Sequence, residues 1–392
     1  MPGAEKNNKE IILKYIKLTR SDVRASLAIL VCATLSVAAH GARAQGNVTL
    51  YGIADIGIEH LDKTSAGGTQ TSVVSGNSSG SRWGVKGEES IGEGLRTLFV
   101  LESGFNLDDG TSAQSTRGLG SSPATTTRLF GRQALVGFNA SGQQLTLGRQ
   151  MSLLYEQAVL FDPMATNSRY SILSFDTATA NRIDNSVKYA GRFQAFTVQA
   201  MYSTRYDTGY GNEIPGASPS GRFYSGALTY AAGPLGLSVS YEQRNSNTVA
   251  TDMATERRST AAVSYVAGPF KGFAGYRYLR ASSQFLPVNP ILAANASQAG
   301  SAGLAWAGAQ YTASQALVLT VAAYHQDVHA SGADPLMAVL WADYFLSKRV
   351  DLYATAAFAR NKNGSALGVN GYGTVTPGTN QTGVVVGMRY KF

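Results

Sequence analysis

The side chains that most often carry catalysis or hold a metal are scarce in this chain. It has four histidines and one cysteine among 392 residues. His40 and Cys32 fall in an N-terminal stretch set aside below, which leaves His60, His325 and His329. None of the three sits in a recognisable Ser or Asp constellation, and no metal-ligand spacing is present. A barrel phospholipase or protease would have little to work with, and no cofactor or metal is expected. The chemistry on offer is charge. A run of about thirty residues without strand patterning, Met151 to Asn181, is of a length usually reserved for function. It carries Glu156, Asp162 and Asp176 among Leu153, Leu154, Tyr155, Val159, Leu160, Phe161, Met164, Ile172, Leu173 and Phe175. So apolar a loop is expected to fold inward against a wall rather than stand in water. Carboxylates facing cations across a narrow passage would set up a transverse field, which sorts solutes by charge and dipole without transforming them.

A wall that can hold such a loop is readable from the end of the chain. Val384, Val386, Met388, Tyr390 and Phe392 fall on one side of a period-two pattern, with Arg389 and Lys391 on the other. In a soluble protein that greasy side would invite edge pairing. In a transmembrane barrel it faces lipid, with aromatics at the interface and cations in a watery lumen. The same alternation recurs at Asn47–Asp55, at Ser81–Glu88 (Arg82, Lys86 and Glu88 opposite Trp83 and Val85), at Leu95–Phe105 (Arg96 and Glu102 opposite Thr97, Phe99 and Leu101), at 235–240 and at 317–323. The strand around Phe273–Arg280 alternates poorly. Short turns such as Ile91-Gly92-Glu93-Gly94 and Leu346-Ser347-Lys348-Arg349 take turns with long polar connections. That rhythm gives about sixteen strands, each needing about 9–11 residues to cross a bilayer. A sandwich does not sort its loops by length in this way, and no blade or solenoid repeat is present. The fold class expected is all-β, a sixteen-stranded antiparallel transmembrane barrel. A barrel of that size encloses an aqueous channel, so whatever narrows it decides what passes.

Mean hydropathy is −0.08, and the one apolar stretch near helical-span length is Ala25 to Ala39. Lys14, Lys17, Arg20 and Arg24 precede it and Ala42-Arg43-Ala44 follows, the pattern of a secretory signal cut after Ala44. Residues 1–44 are read as that signal and 45–392 as the barrel. Ile29-Leu30-Val31 ahead of Cys32 are not the small residues a lipoprotein signal needs. Removing the signal's seven basic and three acidic residues lowers the formal net charge from +8 to +4. With no Lys/Arg-rich run either, nucleic acid is not an expected partner.

Several segments resemble the general porins of Gram-negative bacteria, most closely those of beta-proteobacteria. They are Val48-Thr49-Leu50-Tyr51-Gly52, Ser81–Glu88, Leu101-Glu102-Ser103-Gly104-Phe105, Gly131–Gly137, Leu147-Gly148-Arg149-Gln150, Asp184–Tyr189, Tyr344–Arg349 and the terminal Tyr390-Lys391-Phe392. They span the barrel region in order. The resemblance implies a homotrimer in the outer membrane, bordered by lipid and lipopolysaccharide, with Phe392 read by the outer-membrane assembly machinery. It implies that the third long loop folds into the pore. It also implies wall arginines Arg82, Arg132 and Arg182 facing Asp162 in Phe161-Asp162-Pro163. A second acid usual in some relatives has no clear counterpart; Thr166 or Asn167 falls about there. Glu102, Lys86 and Asp176 complete the expected constriction. Arg149 shares parity with Leu145 and Leu147, so it points out of the lumen towards a neighbouring subunit. Three arginines against one firm acid predict a general diffusion channel for small hydrophilic solutes with a weak preference for anions. A channel specific for a sugar or phosphate is the alternative.

Overall fold

In the computed structural model the described residues are 47–114, 128–166, 169–208, 212–282, 300–329, 331–370 and 375–392. The segment read as a signal, residues 1–44, and Asn167 lie outside them.

Sixteen strands form one closed antiparallel sheet. The first half is β1 (Asn47–Leu61), β2 (Arg82–Gly92), β3 (Leu95–Phe105), β4 (Gln133–Ala140), β5 (Gln143–Met151), β6 (Arg182–Phe193), β7 (Phe196–Ser203) and β8 (Phe223–Ala232). The second half is β9 (Leu235–Asn245), β10 (Thr255–Ala267), β11 (Phe270–Ala281), β12 (Gly300–Thr312), β13 (Leu317–Val328), β14 (Leu336–Phe345), β15 (Val350–Arg360) and β16 (Gln381–Lys391). Each strand pairs with its sequence neighbour, and β16 returns to β1 with Ile53 opposite Lys391 and Leu61 opposite Gly383. Two short segments, Gln70–Ser75 and Ser112–Ala113, add to the ladders of β1 and β3. Closure leaves no unpaired edge, which a bilayer would not tolerate.

Period-two patterning sorts the residues onto two faces. On β16, Val384, Val386, Met388 and Tyr390 are exposed outward while Gln381, Val385 and Arg389 are buried inward. On β13, Leu319 and Val321 point out while Thr320, Ala322 and Tyr324 point in. On β11, whose pattern was poor, Tyr276 and Tyr278 face out and Phe273, Arg277 and Leu279 face in. Phe392 closes the seam. Its N–H donates to the Gly52 carbonyl at 3.1 Å, and the Gly52 N–H returns a bond to Phe392 at 3.0 Å. A Cβ on Gly52 would fall 2.2 Å from the Phe392 ring, so glycine there makes the space the terminal aromatic occupies.

The lumen is partly filled. The segment after β5 begins with α1 (Leu153–Phe161), capped by Ser152, whose hydroxyl accepts from the Tyr155 N–H at 3.2 Å. Two 3₁₀ turns follow, Ile172–Ser174 and Thr177–Ala180. Tyr170, Ile172, Leu173 and Phe175 bury themselves against Trp306, Tyr324, Val339 and Tyr353 of the wall. Full burial of such side chains is worth ~1.5–3 kcal/mol each, ample to hold the loop inside. Two further segments, read from sequence only as long polar connections, also turn inward. Asp55 accepts from the N–H groups of Asn77, Ser78 and Ser79 at 3.0, 3.0 and 2.7 Å, which draws 76–81 into the lumen. After β15, Leu367 and Val369 are fully buried, and the Ser174 hydroxyl donates to the Val369 carbonyl at 2.6 Å.

Candidate functional site: an arginine-lined neck

Arg82, Arg132 and Arg182 converge on one cavity of about 300 Å³ inside the barrel. Three strand ends position them: Arg82 opens β2, Arg132 immediately precedes β4, and Arg182 opens β6. The Arg82 Nε donates to the Gly80 carbonyl at 2.8 Å, so the inward-turned 76–81 segment sets its orientation. The Arg132 Nε donates to Glu102 Oε1 at 2.6 Å and its Nη1 to Gln114 at 2.9 Å, while its Nη2 has no hydrogen-bond partner. The Tyr51 hydroxyl donates to the second Glu102 oxygen at 3.0 Å. The Arg182 Nη1 donates to the Ala180 carbonyl at 2.6 Å, and its guanidinium lies 4.9 Å from the centre of the Tyr155 ring. Ser78, Ser79 and Gly80 line the cavity on one side; Tyr155, Val159, Ala165, Thr166 and Leu173 of the loop line it on the other.

The two loop carboxylates expected opposite these arginines are not among the residues lining the neck. Both are 1% exposed and turned to the wall. Asp176 accepts from Arg258 Nε at 2.8 Å and Nη2 at 3.2 Å, and Arg277 Nη1 lies 3.0 Å away. Burial opposes its charge, but Arg258 and Arg277 outweigh that and hold the Asp176 carboxyl well below the usual range. Asp162 accepts from the Tyr324 hydroxyl and, at 2.8 Å, from the Thr166 N–H. Burial pushes it up to about 6, against the pull of those hydrogen bonds. The physical reason for the relocation is that a carboxylate on an apolar loop is costly to bury unless paired. For Asp176 the β10 and β11 wall supplies the cations; Asp162 is held by the Tyr324 hydroxyl and the Thr166 N–H instead. Trp306 Nε1 donates to the Phe161 carbonyl at 3.0 Å, and a Cβ on Gly308 would come within 2.5 Å of Pro163, so the wall is shaped to receive this turn.

Of the remaining expected residues, Glu102 joins the neck through Arg132. Lys86 does not. Its ammonium lies 5.2 Å from the centre of the Tyr51 ring, in a separate cavity of about 600 Å³ shared with Glu88, Arg96 and Gln144. Arg149 lies on β5 opposite Ala134, with its side chain 11% exposed. Its guanidinium is committed within the chain, to Asp184 and to the Gly131 carbonyl. His60 bonds Thr71 and His329 bonds Ser301, both exposed. No metal-binding group of His, Cys, Asp and Glu occurs among the described residues.

The sequence reading missed the matched charges of the β9–β11 wall. Glu242 lies opposite Arg258 and Arg244 opposite Glu256 in register. Both strands carry Glu-x-Arg, and antiparallel pairing of two such motifs opposes unlike charges. That repeated motif was the available signal.

A profile of the Gram-negative porin family matches residues 26–364. The chain belongs to the Gram-negative porin family. This porin is 26% identical over 381 residues to the outer membrane porin protein 32 of Delftia acidovorans, covering 93% of this chain and 99% of that one. It is 32% identical over 240 residues to an outer membrane porin protein of Bordetella pertussis, a match that takes in 56% of this chain and 60% of the relative. Among solved structures, the anion-selective porin from Comamonas acidovorans superposes with a TM-score of 0.74 at 24% identity, covering 89% of this chain and all of that one. OmpT of Vibrio cholerae follows at 0.62 and 15% identity, with coverage of 90% and 100%. Both share the porin's fold, and the family places it in the outer membrane.

Proposed function

We propose that this porin is a homotrimeric, water-filled channel for passive diffusion of small hydrophilic solutes and ions, with a weak preference for anions. One observation carries the reading: three guanidinium groups line the neck, and among the described residues one carboxylate, Glu102, is bonded to them, through Arg132. Arginine suits the task because it keeps its charge even when crowded by others. Electrostatic excess of one sign over a narrow aqueous path favours entry of the opposite sign. Two relatives support the reading by their descriptions, an anion-selective porin from Comamonas acidovorans and a trimer form of Vibrio cholerae OmpT. In the trimer Arg149 would brace the Asp184 corner against a neighbouring subunit. Residues 1–44 would direct export, Phe392 would mark the chain for the assembly machinery, and lipopolysaccharide would border the outward apolar band.

Planar-bilayer recording of the purified protein tests this. Ohmic steps whose conductance scales with bulk salt are expected, with three equal closures per inserted unit. A channel that saturates at low concentrations of a single sugar or phosphate would overturn general diffusion.

A further inference from the structure

Among the described residues no acidic side chain lines the neck, and what faces the arginines there is largely apolar. Val159 is 40% exposed and Leu160 52% exposed on α1, inside a barrel where neither reaches lipid. Val159 and Tyr155, one helical turn apart, line the same cavity as the three arginines, joined there by Ile53 and Met151. Leaving aliphatic side chains in water costs free energy unless something apolar visits them. Their neighbour Arg132 lines that cavity too, buried and paired with Glu102.

Resting on the anion-preferring reading, we propose that the neck favours one class of anion, small carboxylates with a compact apolar body such as an aromatic ring. The carboxylate would sit on the Arg82, Arg132 and Arg182 side, where guanidinium forks match its two oxygens. The apolar body would lie against Val159, Ile53 and the Tyr155 ring, shedding water from both surfaces. A hydrophilic anion of equal charge gains only the first half. The cavity, about 300 Å³, has room for one such molecule.

The test is block of chloride current through the reconstituted channel by benzoate and by glycerate, two monocarboxylates that differ in the apolar body. Benzoate is expected to half-block at a concentration about tenfold lower than glycerate. Val159→Ser is expected to bring the two within about threefold, and Arg182→Gln to weaken both together. Because Val159 is exposed, its replacement does not threaten the fold. Equal block by the two anions in the wild type, or an unchanged ratio in Val159→Ser, would overturn the proposal while leaving anion preference intact. Cation selectivity in a salt gradient would overturn the underlying reading instead.

Discussion

Two groups of three arginines sit inside this barrel and do opposite work. Arg244, Arg258 and Arg277 lie on the β9–β11 wall with Asp176, Glu242 and Glu256, and all six are at most 2% exposed. Their charges pair with one another away from water, and the result is an anchor for the inward-folded loop. Among the described residues, Arg82, Arg132 and Arg182 share one carboxylate, Glu102, bonded to Arg132, which leaves net positive charge on the water path. The residue type is the same; the placement of carboxylates decides between mortar and selectivity. Of the loop's acids, Asp176 went to the first group, Asp162 to the Tyr324 hydroxyl and Glu156 to Lys188; none lines the neck, which is why the second group stays cationic.

The largest effect is expected from unbalancing the anchor. Asp176→Ala leaves Arg258 and Arg277 facing each other in a dry site, where removal of one partner typically costs about 3–5 kcal/mol. The melting temperature of the purified porin in detergent is expected to fall by several degrees, with noisy, enlarged single-channel conductance. An unchanged melting profile would mean the matched set does not hold the loop. Next comes Gly308→Val, which drives a side chain into Pro163. Overpacking of this kind costs about 1–3 kcal/mol, and a shift of the loop into the neck should lower conductance. Conductance equal to that of the wild type would show that the loop does not press on that strand.

Removal of a neck charge is a smaller change. At a few ångströms in water one unit charge is worth about 1 kcal/mol, so Arg82→Gln or Arg182→Gln should lower the chloride-to-potassium permeability ratio by up to about fivefold. Arg258→Gln is expected to change stability instead. The same shift in ion ratio from either position would erase the distinction between the two groups. The smallest effect concerns pH. Asp162, raised by burial to about 6, binds its proton more tightly in the folded protein, so its contribution is fully present in acid and lost as pH rises through about 6. Asp176 is depressed and stays ionised well into acid. The loop should therefore hold at least as firmly at pH 5 as at pH 7.5, read as conductance at both, and Asp162→Asn should flatten the difference. Loop release on acidification would contradict both assignments.

The barrel was legible in the sequence because period-two alternation is a property of each strand, and Val384–Phe392 displayed it without help from neighbours. The segment between β5 and β6 carries the apolar residues that made an inward loop readable. The side of the loop on which each acid lies was not legible. A carboxylate such as Asp162 or Asp176 reads the same in sequence whether it faces water or a wall. Only the register of Glu242 with Arg258 and of Arg244 with Glu256 on the receiving strands reveals where charge is wanted. Likewise Asp55 reads as an ordinary inward residue, and its three N–H bonds to 77–79 exist only once the chain has turned back.

The most direct test of the charge division is the zero-current potential of the wild-type channel across a tenfold KCl gradient. Three neck arginines with one carboxylate predict a sign set by chloride, moving towards zero in Arg82→Gln and Arg182→Gln. A potential set by potassium in the wild type would contradict it.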